Sequence, residues 1–379
     1  MLILSFSEII NDARVLKQVN LFKDGWAVTT CGFGPAPEGV AEHLRVPDDE
    51  IWLNLDGRLI TLKQYQMAYS TLPGIRAARR LLRGRKHDFQ VVLANEPEAV
   101  PVALGLSPGW GVHADLHEYT PSLYEQNPAW NRRIKPYFEW LVGKYVRRAD
   151  SWSSPSDGVG AKYLKEFGFE PTTVANAAPH EPLSPSPVGD AIRFVHHGGA
   201  QRNRRLDVMI QAFMDSKVEG SFDLFLTGVD PQVRDEAREM AEGDPRVSVH
   251  DGIPYAELIS TLNDYDVGIH ILPPVNYNNL WALPNKLYDF IQARLGQIIG
   301  PNPEMARVVE GHSLGVVTEG YDAADLTRVL DAITVEDVRG WKKNAHGNAS
   351  LLSAESEVPK WASAIEALKP DSAKRNASD

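Results

Sequence analysis

Two residues of this chain stand where a phosphate and a sugar would need them. In NNLWALPNKLYDFIQARLGQIIGPNPEMARVV, from Asn278 to Val309, Lys286 and Asp289 lie about one helical turn apart, just after a proline. The stretch reads as a loop that opens a helix and then feeds a buried strand. Pro284 suits the first turn, where its missing N–H is not needed. The amides of Asn285, Lys286 and Leu287 then point out of the helix N-terminus and can cradle phosphate oxygens. Lys286 adds a positive charge, and the Asp289 carboxylate can accept from both hydroxyls of a ribose. A nucleoside diphosphate would satisfy this pattern. An ordinary amphipathic helix with Leu287, Phe290 and Ile291 in the core would satisfy the same spacing.

A second segment, RFVHHGGAQRNRRLDVMIQAF from Arg193 to Phe213, is an apolar strand that ends in Gly198 and Gly199, crosses a basic loop and enters a helix at Leu206. The glycines let a ligand approach the backbone, and Arg204 and Arg205 supply planar forks suited to phosphate. A third, GVHADLHEYTP, places His117 in a loop between Asp115 and Glu118. There the imidazole can hydrogen-bond a sugar hydroxyl or steady a developing charge, and the alternative is a structural histidine held by Glu118.

Together these segments resemble GT-B glycosyltransferases, in particular the large retaining family 4 (group 1), which includes capsular-polysaccharide transferases. Gly198 followed by Arg204 and the run PNKLYD are similar to the family's two donor-site blocks; Asp12, Arg14, Gly25 and Val28 are similar to its opening, and Asp115, His117 and Glu118 to its Asp-x-His-Glu signature. The resemblance implies an α/β GT-B fold of two Rossmann-like parallel-sheet domains facing each other across a cleft. It implies a hexosyltransferase-like enzyme of polysaccharide biosynthesis that moves a sugar, with retention, from a nucleoside-diphosphate sugar to a saccharide or lipid-linked acceptor. No cofactor and no metal are expected, with UDP favoured over GDP in the donor. Catalytic roles fall to His117, Arg204 and Lys286, and donor binding to Gly198, Gly199, Arg205, Asn285, Leu287 and Asp289. Asp115 and Glu118 belong to the acceptor side, where either could serve as a base if the reaction inverted. Under retention the leaving phosphate takes the acceptor proton, and cations with helix amides stabilise it.

The chain departs from the family in two places. The first of the family's two donor-site glutamates falls on Trp281, the second on Asp289, and the arginine that often follows the glycine is Gly199. A nucleotide-sugar epimerase on the same fold and a catalytically silent nucleotide-sugar-binding protein are the alternatives.

The elements that must position these residues alternate between short apolar runs and amphipathic stretches, the pattern of βα units on parallel sheets. Strands are predicted at 2–6, 27–30, 90–94, 111–114, 151–154 and 173–175, and again at 194–197, 223–227, 247–250, 267–271, 297–299 and 315–317. The reading gives an N-terminal acceptor domain over 1–178, a proline-rich linker over 179–190 and a donor domain over 191–352. A helix over 353–370 returns to the first domain, and 371–379 reads as a disordered tail.

With 379 residues, 43% of them hydrophobic, the chain can fill two cores. Its one cysteine, Cys31, excludes an intramolecular disulfide and a cysteine-based zinc site. The chain begins inside its first predicted strand, so no signal peptide and a cytoplasmic location are expected. No Gly-x-Gly-x-x-Gly follows a predicted strand, which argues against a dinucleotide enzyme. Asp264-Tyr265-Asp266 mimics a metal motif, yet Asp266 opens a buried strand, and His196 and His197 point to opposite faces of theirs. The net charge of −11 arises wholly after residue 180, and that balance argues against nucleic acid as a partner. Between Asp56 and Asp88, however, every charged residue is basic. There RAARRLLRGRK, residues 76–86, is a candidate for peripheral binding to the anionic inner face of a membrane, with Leu81 and Leu82 dipping into the interface. A solvated basic helix is the competing reading.

Overall fold

The computed structural model describes residues 1–370 apart from Trp52 and Val229; the predicted tail at 371–379 lies outside the described residues. The chain divides into two compact units, one formed by residues 1–175 with the segment beginning at Val358, the other by Asn176–Glu357.

The first unit is built on seven strands: β1 (Leu2–Glu8), β2 (Thr29–Phe33), β3 (Glu42–Arg45), β4 (Val91–Asn95), β5 (Gly111–Asp115), β6 (Ser151–Ser154) and β7 (Thr172–Thr173). All pair in parallel, in the order β3-β2-β1-β4-β5-β6-β7. Strand β3, EHLR, was not predicted. It carries one apolar residue, and as an edge strand with half-exposed side chains it has no buried face to advertise. The helix Ala13–Phe22 starts at Asp12, whose carboxylate accepts from the amides of Arg14 and Val15. It buries Val15, Val19 and Phe22 against Ile3, Leu93, Trp361 and Ile365, the last two from the returning helix Pro359–Glu366.

The second unit repeats the plan with β8 (Ile192–Gly199), β9 (Gly220–Thr227), β10 (Val247–Asp251), β11 (Val267–His270), β12 (Gly296–Ile299) and β13 (Gly315–Val317), all parallel, in the order β10-β9-β8-β11-β12-β13. Both faces of β8 are covered. Ile192 and Phe194 pack into one core with Phe213, while Val195 packs on the opposite face with Phe290. Such two-sided burial is what turns parallel strands into short apolar runs.

Residues 176–178, predicted to close the first domain, belong to the second unit because they bond to it. Asn176 Nδ2 donates to Asn285 Oδ1 at 2.6 Å, and the Ala178 carbonyl accepts from the Ala354 amide at 2.8 Å. The predicted linker, 179–190, has no helix or strand. It is tied down by Glu181, whose amide donates to Gln292 and whose carbonyl accepts from Arg294.

In each sheet the strand order reverses once, between β1 and β4 and between β8 and β11. Ligands of doubly wound sheets lie outside the carboxyl ends of the strands at such a switch point.

Candidate functional sites

At the second unit's switch point β8 ends in Gly198 and Gly199, β11 ends in His270, and the helix Asn285–Gln292 begins nearby. Gly198 has φ +121, and a Cβ built there would fall 2.7 Å from Lys286 Cε, so the lysine side chain lies directly over the glycine. No other residue type fits without moving it. Lys286 and Arg204 are both half-buried, and neither side chain has a hydrogen bond or ion pair among the described residues. Burial first, then the neighbouring Arg204 charge, lowers the Lys286 ammonium to about 8 against the opposing pull of Asp289. Burial also lowers Arg204. Two half-buried cations set against one nearby carboxylate, Asp289, leave a net positive charge that an anion would balance.

The Asn285–Gln292 helix contributes its N-terminus as predicted from PNKLYD, with one change. Pro284 is the cap, and its carbonyl already accepts from the Leu287 amide at 3.1 Å. Leu287 is also buried in the core, so of the three predicted amides only those of Asn285 and Lys286 lack a backbone acceptor among the described residues. Asp289 is 3% exposed and sits 3.5 Å from His197 Nε2.

Arg205, predicted as a phosphate ligand, does not join Arg204. Its backbone is left-handed at φ 47, which turns the side chain outward to a fork on Asp207 at 2.9 to 3.2 Å. Arg202 is likewise taken by Glu236. Gly199 lies in register with Thr227 on β9.

Three histidines adjoin this site, and sequence reasoning passed over their part in it. His196 Nδ1 bonds the Ile269 carbonyl at 2.8 Å, which makes that nitrogen the donor and leaves Nε2 an acceptor with no partner among the described residues. Its ring stacks with His270, 1% exposed, whose two nitrogens have no hydrogen-bond partner among the described residues. Burial first, then Lys286, holds all three imidazoles neutral, with His196 lowered to about 3. The doublet HH inside an apolar strand was the only available signal. Asp266, of the metal-like motif, is fully buried and taken by Arg193 and Lys342, each at 3.0 Å. Among the described residues no group of three or more His, Cys, Asp or Glu is arranged to hold a metal ion.

At the first unit's switch point a cavity of about 300 Å³ opens between the end of β1 and the loops after β4 and β5. His117 and Glu118 line it, together with Glu96 and Glu98, which the sequence reading did not single out. His117 Nδ1 is 3.5 Å from Glu96 Oε1, and its Nε2 is 3.1 Å from Asn95 Oδ1 and 3.5 Å from Asp115 Oδ2. Burial disfavours the imidazolium, but Glu96 and Asp115 outweigh burial and raise His117 above the usual histidine range. Burial raises Glu96 to about 8 against the pull of His117, with Glu118 and Glu98 adding to the rise, and carries Glu98 to about 7.

Asp115 turns away from this cavity. Its oxygens accept from Arg14 at 2.7 and 2.8 Å, from Gln18 at 2.7 Å and from Ser153 at 2.5 Å. Arg14 and Gln18 lie four apart on one helix face and converge there. Burial opposes its ionisation, but the Arg14 and His117 charges and these bonds hold the carboxyl far below the usual carboxylate range. With its acceptor positions so taken, Asp115 orients His117 and Arg14 rather than acting as a base.

The predicted membrane segment forms the helix Pro73–Leu81 and the turn after it. Arg76, Arg79, Arg80, Arg83 and Lys86 are exposed, but Leu82 is only 4% exposed and Leu81 half-buried, so the leucines face the protein and not an interface. Acids from outside the segment also reach it: Arg80 pairs with Glu50, and Arg85 with Glu42. No helix among the described residues is long and apolar enough to cross a membrane.

No protein-family model matches the sequence, and no curated protein matches it either. Solved structures do match. The Anabaena protein HepE, in complex with UDP-glucose, superposes with a TM-score of 0.70 at 13% identity, over 97% of this chain and 99% of that one. Sucrose-phosphate synthase from Thermosynechococcus elongatus gives 0.68 at 14% identity, over 97% and 98%. A glycosyltransferase from Rickettsia africae gives 0.69 at 9% identity, over 98% and 99%. The fold is GT-B. In GT-B terms the Lys286 site is at the sheet end of the C-terminal Rossmann-like unit and the His117 cavity at that of the N-terminal one.

Proposed function

We propose that the chain is a glycosyltransferase that takes a sugar from a nucleoside-diphosphate donor, UDP rather than GDP, and places it with retention on a saccharide or lipid-linked acceptor, without a metal. The observation that carries this reading is the pair of cations Arg204 and Lys286, neither with a hydrogen bond or ion pair among the described residues, beside Gly198 and a helix N-terminus at a switch point. A diphosphate supplies the missing negative charge, and Asp289 is spaced to accept from a ribose. As the sugar bond breaks, charge grows on the leaving diphosphate, and fixed cations in a half-buried site stabilise that state more than the ground state. The leaving phosphate then receives the acceptor proton, so the donor site needs no carboxylate base, which accords with Trp281 in place of the family's first glutamate.

The UDP-glucose bound in the HepE structure supports the choice of donor class. The exposed arginines of the Pro73–Leu81 helix support reversible association with an anionic membrane surface through charge alone. Calorimetry with UDP and GDP, followed by product analysis with UDP-sugars and an acceptor panel, tests the reading. A new glycoside supports transfer, an isomerised donor would indicate an epimerase, and binding without turnover a silent binding protein.

A further inference from the structure

Lys286 is seated so that its charge depends on what occupies the site. Its side chain lies over Gly198, where a Cβ would fall 2.7 Å from Cε, and its ammonium has no hydrogen bond or ion pair among the described residues. The groups that face it come from every element around it. The loop after β8 supplies Arg204, a second cation with no ion pair among the described residues. The helix Asn285–Gln292 supplies the one carboxylate, Asp289, which also lies 3.5 Å from His197 Nε2. Strands β8 and β11 supply His196, His197 and His270, all buried and all held neutral, first by burial and then by the lysine itself.

The site therefore sets two cations against one anion, and only one of the cations can give up its proton. A guanidinium stays charged at any pH a folded protein meets, whereas an amine out of water and beside a like charge does not. Burial and Arg204 accordingly bring Lys286 down to about 8. A nucleoside diphosphate reverses the balance, because its phosphate oxygens are anionic at neutral pH and favour the ammonium form beside them.

We infer that a diphosphate enters this site together with a proton, taken from solvent onto the Nζ of Lys286, so that mildly alkaline pH closes the site to its donor. No bond of the ligand changes; the amine lone pair gains the proton on binding and returns it on release. The inference rests on the reading of this site as a diphosphate site and states what regulates it. The direction follows from linkage: the free lysine loses its proton as pH rises through about 8 while the bound lysine keeps it, so affinity is fully present below that value and falls above it.

The test is calorimetry of UDP with the full chain at pH 7, 7.75 and 8.5, repeated in buffers of different ionisation enthalpy to count protons. Uptake should rise from close to zero at pH 7 to about three quarters of a proton at pH 8.5, with Kd weakening about fourfold over the same interval. Lys286→Arg carries a cation that does not titrate in this range, and both the uptake and the pH dependence should vanish in it, whatever its affinity. UDP bound at pH 8.5 without proton uptake would overturn the inference and leave the diphosphate site standing. An uptake that shrinks from pH 7 to pH 8.5, as protonation of a histidine would give, or one that persists in Lys286→Arg, would overturn it as well. Absence of UDP binding by wild-type protein would bring down the inference and the diphosphate reading together.

Discussion

Replacing Lys286 by Met separates a binding lysine from a structural one, because the two roles predict opposite effects on stability. The structure holds the ammonium over Gly198 with no hydrogen bond or ion pair among the described residues, and burial lowers it from 10.5 to about 8. A shift of that size corresponds to roughly 3 kcal/mol of cost for keeping the charge at neutral pH, an upper figure for a half-buried group. The sign follows from proton counting. Between the folded value near 8 and the unfolded value near 10.4 the unfolded chain binds more protons, so stability rises with pH across that window. Methionine keeps the length of the side chain and removes the charge. The ligand-free Lys286→Met protein should therefore be as stable as wild type or more so at pH 7, and should lose the rise between pH 8 and 10. With UDP the order reverses. A charge-assisted hydrogen bond to phosphate contributes about 1.5 to 3 kcal/mol, so the variant should bind UDP roughly 10- to 150-fold more weakly. Calorimetry with UDP, together with urea unfolding of the free protein at pH 7 and pH 9.5, measures both. A variant that binds UDP like wild type, or that unfolds more easily than wild type at pH 7, would refute the reasoning.

Arg204→Ala should weaken UDP binding by a similar factor, whereas Arg205→Ala, whose fork is already held by Asp207, should change it less than twofold in the same calorimetric series. Asp289→Asn should weaken UDP binding several-fold while leaving inorganic pyrophosphate unaffected, and equal losses for both would mean that Asp289 only supports its helix. Arg14→Met should lose roughly 3 to 5 kcal/mol in urea unfolding at pH 7, because it strands a buried carboxylate. Asp115 is depressed, so its stabilisation is present above the unfolded value near 4 and is lost as pH falls below it; the wild-type advantage over Arg14→Met should shrink from pH 5 toward pH 2. Wild-type protein should co-sediment with anionic vesicles at low salt and release at high salt, at about 1 kcal/mol per surface cation, and Glu at positions 79, 80 and 83 should abolish this; persistence in the triple variant would rule out the basic surface.

Much of the architecture was legible along the chain, because strands buried on both faces must be apolar runs and the helices between them must be amphipathic. The same logic located the phosphate end of the second unit, since a glycine that must take φ +121 and a proline that opens a helix are local requirements written as residue types. What the chain order did not disclose is which charges remain uncompensated. Arg202, Arg204 and Arg205 are equivalent as sequence, and only folding assigns carboxylates to the first and third and none to the second. Asp115 and Glu118 likewise stand three apart in one motif, yet helix residues about a hundred positions earlier saturate Asp115, while Glu118 meets Glu96 and Glu98 from another strand's loop. The basic stretch around Arg80 met acids from outside its window and turned its leucines inward. Periodicity is set by neighbours in sequence and could be read there, whereas the balance of charge and burial depends on distances in space, which the tertiary structure alone decided.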